Sequence, residues 1–300
     1  MRAMIIKSYG GLEVLHMAEL PEPVPQQGET LVQVRAAAVN PADGKWRAGM
    51  FASFAPVGFP HVLGYDVAGE VAGGDGFAPG TRVFGMLHVH RKGGYAEYVA
   101  VAAHHLAVIP DDMDFATAAA LPTAGLTGTQ MVERVLDVQP GARVLLTGAV
   151  GAVGSFALYA IKARGAHVVA AVRASQRDAA LAQGADEVLA LGEEDWTGAP
   201  FDHLVDTVGG EAVGRHCRQL RPGGRILTAA TTPIAPVGPG QEPEFYAVTP
   251  DGVGARRLAE IVSAGLVCVS IAKVLPLEQA AEAQRLVERG GTAGKVILTP

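Results

Sequence analysis

The stretch Ala142-Arg-Val-Leu-Leu-Thr-Gly-Ala-Val-Gly-Ala-Val-Gly154 decides how the second half of this chain folds. Its apolar run, Val144 to Leu146, is typical of a buried parallel strand, and Ser155 to Arg164 is typical of a helix. The glycines between them follow the spacing Ala149-x-Gly151-x-x-Gly154, which lets backbone N–H groups approach phosphate oxygens and lets the helix pack closely on the strand. This strand–turn–helix predicts a site for the pyrophosphate of a dinucleotide.

A second buried strand, Ala166 to Val172, ends where the adenosine ribose of a dinucleotide is expected. Enzymes that prefer NAD place a carboxylate there, whereas this chain has Arg173, Ser175 and Arg177. Guanidinium groups and a hydroxyl suit a 2′-phosphate, which a carboxylate would repel. The sequence therefore predicts NADPH as the cofactor. Its predicted contacts in these two turns are Gly148, Ala149, Val150, Gly151, Ala152, Val153, Gly154, Arg173, Ser175 and Arg177.

Composition limits the class of protein. The chain of 300 residues is long enough for two compact domains, and its net charge of −6 lies in no long block of one sign. We therefore expect neither a nucleic-acid nor a membrane partner. The apolar stretches are of strand length and the amino terminus is unlike a secretory signal, so no membrane helix is predicted. Cys217 and Cys268 make no disulfide framework, which favours the cytoplasm.

Residues 1 to about 112 are typical of an all-β region, because short strand candidates alternate with Pro- and Gly-rich turns. Such a set indicates a partly open barrel. The candidate strands are Met4–Lys7, Val14–Glu19, Thr30–Ala37, Val67–Val71, Arg82–Met86 and Tyr95–Val101. An Ala-rich helical segment, Phe115 to Val135, follows and is broken at Leu121-Pro-Thr123.

Strands and helices alternate after that segment, which predicts a parallel, doubly wound sheet. Its strands are Val144–Thr147, Val168–Val172, Glu187–Leu191, His203–Asp206 and Arg225–Ala229, with a turn at Arg218–Gly224. The Pro- and Gly-rich region Thr231–Gln241 is predicted to be a loop. A helix over Pro250–Ala264, a strand near Val267–Val274, a helix over Leu277–Arg289 and a strand over Lys295–Leu298 complete the chain.

Several further motifs occur in order along the chain. They are Tyr9-Gly-Gly-Leu-Glu-Val-Leu15, Val39-Asn-Pro-Ala-Asp43, Gly64-Tyr-Asp-Val-Ala-Gly69, Leu121-Pro-Thr-Ala-Gly-Leu-Thr127, Asp206-Thr-Val-Gly-Gly210, Leu220-Arg-Pro-Gly-Gly-Arg225 and Gly294-Lys-Val-Ile-Leu298. With the glycine turn, this set resembles the zinc-independent quinone oxidoreductases, the zeta-crystallin-like branch of the medium-chain dehydrogenase/reductase superfamily. The resemblance implies an α/β fold: a GroES-like, partly open β-barrel substrate domain (residues 1–113 and 265–300) and a doubly wound Rossmann domain that binds NADPH (residues 114–264).

The resemblance also indicates whether the site holds a catalytic metal ion. The zinc-dependent branch has Cys at the position of Asn40 and Gly-His-Glu at the positions of Gly64-Tyr65-Asp66. Asn40, Tyr65 and Asp66 do not supply the three ligands that a catalytic zinc prefers. We therefore predict no metal, and hydride delivery to a quinone or to an enone that its own carbonyl activates.

The family pattern implies further site residues. The cofactor contacts it adds are Asn40, Thr127, Thr207, Val208, Gly209, Phe245, Tyr246, Gly294 and Lys295. Asn40 is expected to bind the nicotinamide ribose or the substrate carbonyl. Asp43, Lys45 and Tyr65 are candidate proton donors, and water is the alternative.

The expected function is the NADPH-dependent reduction of quinones or α,β-unsaturated carbonyl compounds. Relatives pair through the Rossmann sheet, so the resemblance implies a homodimer. Two alternatives stay open at this point. One is a trans-acting enoyl reductase of a biosynthetic pathway. The other is a non-catalytic NADPH-binding sensor or structural module, because no sharp catalytic acid is evident in the sequence.

Overall fold

The computed structural model describes residues 1–53, 55–88 and 93–300. Contacts within the chain divide it into unit 1, Met1–Leu126 with Thr249–Pro300, and unit 2, Thr127–Val248. The predicted boundaries were 113/114 and 264/265, so the two divisions differ in the segments 114–126 and 249–264. Both segments form helices that pack on strands of unit 1, which explains the difference.

The elements of the first part of the chain are mostly strands. They are β1 (Arg2–Ile6), β2 (Leu15–Glu19), β3 (Glu29–Val39), α1 (Pro41–Arg47), β4 (His61–Val62), β5 (Asp66–Gly74), β6 (Arg82–Met86), β7 (Tyr98–Ala102), β8 (Leu106–Val108), α2 (Phe115–Ala119) and α3 (Pro122–Gln130). A π-helical turn, Met131–Val135, extends α3.

Strands and helices alternate in the next part. They are β9 (Arg143–Thr147), α4 (Ala152–Ala163), β10 (His167–Val172), α5 (Arg177–Ala182), β11 (Glu187–Ala190), β12 (Phe201–Asp206), α6 (Glu211–Cys217), β13 (Leu220–Thr228) and β14 (Pro243–Phe245). The chain then returns to unit 1 with α7 (Gly252–Ser263), β15 (Ile271–Pro276), α8 (Ala280–Arg289) and β16 (Lys295–Thr299).

Unit 1 is built around β3. This strand pairs antiparallel with β5 along one edge, and with β7 and then β16 along the other. The sheet order is β15-β16-β3-β5-β6-β8, and a smaller sheet has the order β2-β1-β4. The only parallel pair among the described strands of these two sheets is β15 with β16. Because the main sheet of the described strands has β15 and β8 as its two ends, the predicted partly open barrel is confirmed.

Unit 2 contains a six-stranded parallel sheet with the order β11-β10-β9-β12-β13-β14. The order reverses direction between β9 and β12, so a crevice forms where the carboxyl ends of these strands separate. Both faces of the sheet are covered. Val144 and Leu146 belong to one buried apolar cluster and Leu145 to another. Continuous apolar runs therefore form strands here, as expected for a sheet buried on both faces.

Most predicted strands are present within a few residues, and four of the labelled elements were missed, namely α1, β4, β8 and β14. Helix α1 was missed because it is short; its signals are Pro41 at the first position and Asp43, whose carboxylate accepts the Asn40 N–H. Strands β4, β8 and β14 were missed because two or three residues carry no periodicity. The predicted turn at Arg218–Gly224 was wrong after Gln219, because β13 begins at Leu220.

Two other expectations concern the segment before β14 and the membrane. Residues 231–242 form no helix or strand, which confirms the predicted loop over Thr231–Gln241. None of the helices in the described ranges combines the length and the apolar character that a membrane crossing requires.

Gly69 in β5 tests how closely the barrel strands approach. A methyl group at Gly69 would lie 2.0 Å from the carbonyl oxygen of Gln33, whereas one at Gly73 on the same strand would meet nothing within 4 Å. We expect Gly69→Ala to lower the free energy of unfolding by about 2–3 kcal/mol. The matched control Gly73→Ala should change it by about 0.5 kcal/mol or less. Denaturant titration of both variants measures this, and equal effects would contradict the close approach.

Candidate functional site

The glycine turn of unit 2 lies between the carboxyl end of β9 and the start of α4. Gly148 has a φ of +65°, and its carbonyl oxygen accepts the Gly151 N–H at 2.9 Å. A methyl group at Gly154 would lie 2.1 Å from that same oxygen. Gly151 precedes α4 without a side-chain cap, so the first N–H groups of the helix are left for another acceptor. The turn therefore has the shape and the donors that an anionic group requires.

The three polar residues after β10 have different environments. Arg173 and Ser175 are exposed, and the Arg173 guanidinium forms no hydrogen bond or ion pair with the part of the chain that the structure describes. Arg177 begins α5 and is bound to the Glu194 carboxylate, which also accepts the Ala190 N–H at 2.9 Å. Arg173 and Ser175 are thus available to a ligand, whereas Arg177 is engaged in an ion pair.

A hydrogen-bonded network joins β9, β12 and β13 at the crevice; we call it the Asp206 network. Its members are Thr147, Asp206, Val208, Gly209 and Thr228. The buried Asp206 carboxylate accepts the hydroxyls of Thr147 and Thr228, each at 2.5 Å, and the N–H groups of Val208 and Gly209, each at 3.0 Å. The turn after β12 is therefore tied to both neighbouring strands.

The remaining predicted residues of unit 2 differ in exposure. Val208 lies in the turn after β12 with 44% of its surface exposed, and Phe245 lies at the end of β14 with 54% exposed. Tyr246 is half-buried, and its hydroxyl donates to the Gln130 amide oxygen at 2.7 Å. Thr127 is buried in α3. Val208 and Phe245 therefore present apolar surface, while Tyr246 packs into the core.

Unit 1 contains a buried polar group at the start of β5 and β16; we call it the Asp66 cluster. Its members are Asn40, Asp66, Thr123 and Lys295. The Asn40 amide nitrogen donates to the Asp66 carboxylate at 2.9 Å, and its amide oxygen accepts from the Lys295 ammonium at 2.5 Å. Thr123 donates to Asp66 through its hydroxyl at 2.6 Å and its N–H at 2.9 Å. The Asn40 amide thus lies between a cation and an anion.

Burial affects both charged groups of this cluster. Desolvation raises the pKa of Asp66, against the lowering effects of Lys295, Thr123 and Asn40. Desolvation lowers the pKa of Lys295, against the opposing effects of Asp66 and Asp43. An isolated buried charge is strongly unfavourable. Each group is therefore stabilised by the charge of the other and by its hydrogen bond to the Asn40 amide, which lies between them.

The predicted proton donors lie on or near α1. Asp43 is buried, where it caps α1 and accepts the Tyr95 hydroxyl at 3.0 Å, so its carboxylate serves the fold. Tyr65 is buried, and burial followed by the charges of Asp43 and Asp66 raises its pKa. Burial lowers the pKa of the half-buried Lys45, whose ammonium forms no hydrogen bond within the described residues. Of the three, Lys45 has its acidic group available.

Sequence reasoning assigned Asn40 and Lys295 to the site, and the structure brings them together. Gly294 precedes Lys295 with a φ of +139° and packs against Ser270. Lys295 was predicted as a cofactor contact; it lies buried, and its ammonium donates to the Asn40 amide oxygen. Thr123, Thr147 and Thr228 were not predicted as site residues, because the hydroxyl partners of a buried carboxylate follow no regular spacing in the sequence. Asp206 was quoted only as part of a motif, and Asp66 was considered only as a position of the zinc branch.

Comparisons with known proteins agree with this geometry. Residues 26–111 match the family described as alcohol dehydrogenase GroES-like domain, and residues 183–298 match the family described as zinc-binding dehydrogenase. A chloroplast envelope quinone oxidoreductase homolog of Arabidopsis thaliana is 30% identical over 100% of this chain and 98% of its own length.

Two other similar proteins are described by different activities. An NADPH-dependent alkenal/one oxidoreductase of Arabidopsis thaliana chloroplasts is 30% identical, covering 100% of this chain and 80% of its own. A solved structure described as an NAD-dependent alcohol dehydrogenase is 32% identical, with a TM-score of 0.87 and 100% of each chain covered. The predicted GroES-like and Rossmann folds are thereby confirmed. The chain belongs to the quinone oxidoreductase branch of the medium-chain dehydrogenase/reductase superfamily.

Proposed function

We propose that this oxidoreductase uses NADPH to reduce quinones or α,β-unsaturated carbonyl compounds without zinc. The observation that carries the proposal is the makeup of the Asp66 cluster, which holds an amide, a carboxylate, a hydroxyl and an ammonium. Relatives named for quinone and alkenal/one reduction support the acceptor class. We further propose a homodimer in the cytoplasm, with a small-molecule acceptor and neither a nucleic-acid nor a membrane partner.

The cluster does not fit a catalytic zinc, although one matching family is described as zinc-binding. Such a site needs thiolate, imidazole or carboxylate ligands and an open position. The Asn40 amide oxygen already accepts the Lys295 ammonium at 2.5 Å, and a metal cation beside that ammonium would be repelled. In the described part of the chain, no group of three His, Cys, Asp or Glu side chains is arranged to hold a metal ion. We assign no step to zinc.

The residues of unit 2 fit a phosphorylated dinucleotide. A methyl group at Gly154 would collide with the turn, and the uncapped N–H groups of α4 suit a pyrophosphate. Arg173 and Ser175 suit a 2′-phosphate and support NADPH over NADH. When bound, the cofactor supplies a hydride from its nicotinamide ring.

Enone reduction also needs a proton, and Lys45 supports this role. Its ammonium is available, and burial lowers its pKa, which makes it a better acid. Reduction of a quinone differs, because both hydroquinone oxygens exchange protons with water without help. Turnover of a quinone therefore depends on hydride transfer alone, whereas turnover of an enone depends on hydride transfer and on proton delivery.

Activity of the purified protein tests the proposal directly. We expect NADPH oxidation with 1,4-benzoquinone, 9,10-phenanthrenequinone or simple enones, at a rate that a zinc chelator leaves unchanged. A rate that a chelator abolishes and zinc restores would contradict zinc independence. Turnover only with a carrier-protein-bound enoyl thioester would favour the trans-acting enoyl reductase. NADPH binding without turnover of any acceptor would favour the sensor or structural module.

A charge reversal tests the cofactor preference. We expect Arg173→Glu to weaken NADPH binding about tenfold or more and NADH binding far less, because a charge-assisted contact to the 2′-phosphate is worth about 1.5–3 kcal/mol. Fluorescence titration with both dinucleotides measures the effect. Arg218→Glu, also at an exposed arginine of unit 2, is the control and should change neither affinity. Equal losses for NADPH and NADH in Arg173→Glu would contradict the assignment.

A lysine substitution tests proton delivery. Lys45→Met should lower enone turnover at least tenfold while it leaves quinone turnover within about threefold. Because the acid must be protonated, enone turnover of the unmodified protein should fall as pH rises through the pKa of Lys45, and Lys45→Met should lose this dependence. Lys273→Met on the exposed face of β15 is the control. Equal losses with both acceptors would show that Lys45 is not the acid.

A further inference from the structure

Asp206 is a buried carboxylate with an unusual set of partners. It is fully buried, and it forms no ion pair within residues 1–53, 55–88 and 93–300. Its charge is compensated by the Thr147 and Thr228 hydroxyls at 2.5 Å and by the N–H groups of Val208 and Gly209 at 3.0 Å. Because hydroxyls and N–H groups must point at the carboxylate to stabilise it, the charge fixes their orientation.

The same network reaches the glycine turn. The Thr147 hydroxyl, which donates to Asp206, also accepts the Thr207 N–H at 3.0 Å, and the Thr207 hydroxyl donates to the Thr147 carbonyl at 2.9 Å. A methyl group at Gly148 would lie 2.4 Å from the Thr207 hydroxyl oxygen and 3.1 Å from a Val208 methyl. The turn after β9 and the turn after β12 are therefore packed together. Asp206 is hydrogen-bonded to Thr147, which precedes the first turn, and to Val208 and Gly209 in the second.

We propose that Asp206 is a positioning residue for the dinucleotide, which sets the glycine turn and the Thr207–Gly209 turn in the relative geometry that NADPH requires. This inference rests on the proposed function. Asp206 has no exposed surface and does not contact the ligand; it acts through Thr207, Val208 and Gly148. Both turns border the crevice between β9 and β12, so a small displacement of one turn relative to the other would change the binding site of the dinucleotide.

The position of Asp206 distinguishes this role from general stabilisation. Asp202 lies at the opposite end of the same strand, where its carboxylate accepts the Arg143 N–H at 2.7 Å and binds Arg221 at 2.5 Å. Both aspartates join neighbouring strands, but only Asp206 borders the crevice. Asp202 is partly exposed and Asp206 is buried, so the two variants are compared by their affinity for NADPH and not by their stability.

Three variants test the inference: Asp206→Asn, Thr228→Val and Asp202→Asn. Asp206→Asn places an amide N–H where Thr228 and Gly209 both donate, so the two turns should separate. We expect the Kd and the KM for NADPH to rise at least tenfold, with kcat at saturating NADPH within about threefold of the unmodified enzyme. Thr228→Val removes one donor and keeps the carboxylate, so a rise of about three- to fivefold is expected. Asp202→Asn should leave the Kd unchanged.

The outcomes separate the inference from the proposed function. If the unmodified protein binds NADPH and Asp206→Asn binds it equally well, the inference is overturned and the proposed function stands. If Asp202→Asn weakens NADPH as much as Asp206→Asn does, the role is structural and the inference is overturned. If the unmodified protein binds no dinucleotide, the proposed function fails first. If Asp206→Asn does not fold, the comparison of Thr228→Val with Asp202→Asn decides. Equal affinities of these two variants for NADPH would overturn the inference.

Discussion

The buried carboxylate of Asp206 is the constraint on which the nucleotide-binding half depends. A charge taken out of water must be given donors, and here they come from β9, β13 and the turn after β12. The need to satisfy one carboxylate therefore sets the relative positions of three chain segments. Gly148 then packs against Thr207, so the geometry of the proposed phosphate-binding turn is coupled to the buried carboxylate.

Unit 1 also contains a buried carboxylate, that of Asp66, but its charge is compensated differently. Asp66 receives donors from Asn40 and Thr123, and the Lys295 ammonium compensates its charge across the Asn40 amide. The amide dipole is aligned with the field between the two charges, so its oxygen faces the ammonium and its nitrogen faces the carboxylate. Loss of either charge would leave the other uncompensated in a buried site, which makes the pair interdependent.

Local patterns predicted the fold better than the site. Apolar runs such as Val144 to Leu146 and the spacing of Gly151 and Gly154 predicted the strands and the turn, because these features act within a few residues. The Asp66 cluster instead joins residues from β5, β16 and the segments before α1 and at α3, and no local pattern records such contacts. Lys295 shows the difference: its family motif indicated a site residue, but its partner, Asn40, lies 255 positions away.

The surroundings of Arg173 limit how strongly the proposed enzyme can discriminate between NADPH and NADH. Arg177 is committed to Glu194, and that carboxylate also holds the Ala190 N–H, so the ion pair fixes the exit of β11. This leaves one exposed guanidinium and the Ser175 hydroxyl for a 2′-phosphate. An exposed charge is screened by water and salt, so a single arginine supports a preference of about one order of magnitude rather than several. A preference of this size is consistent with similar proteins that are named for NADPH and for NAD.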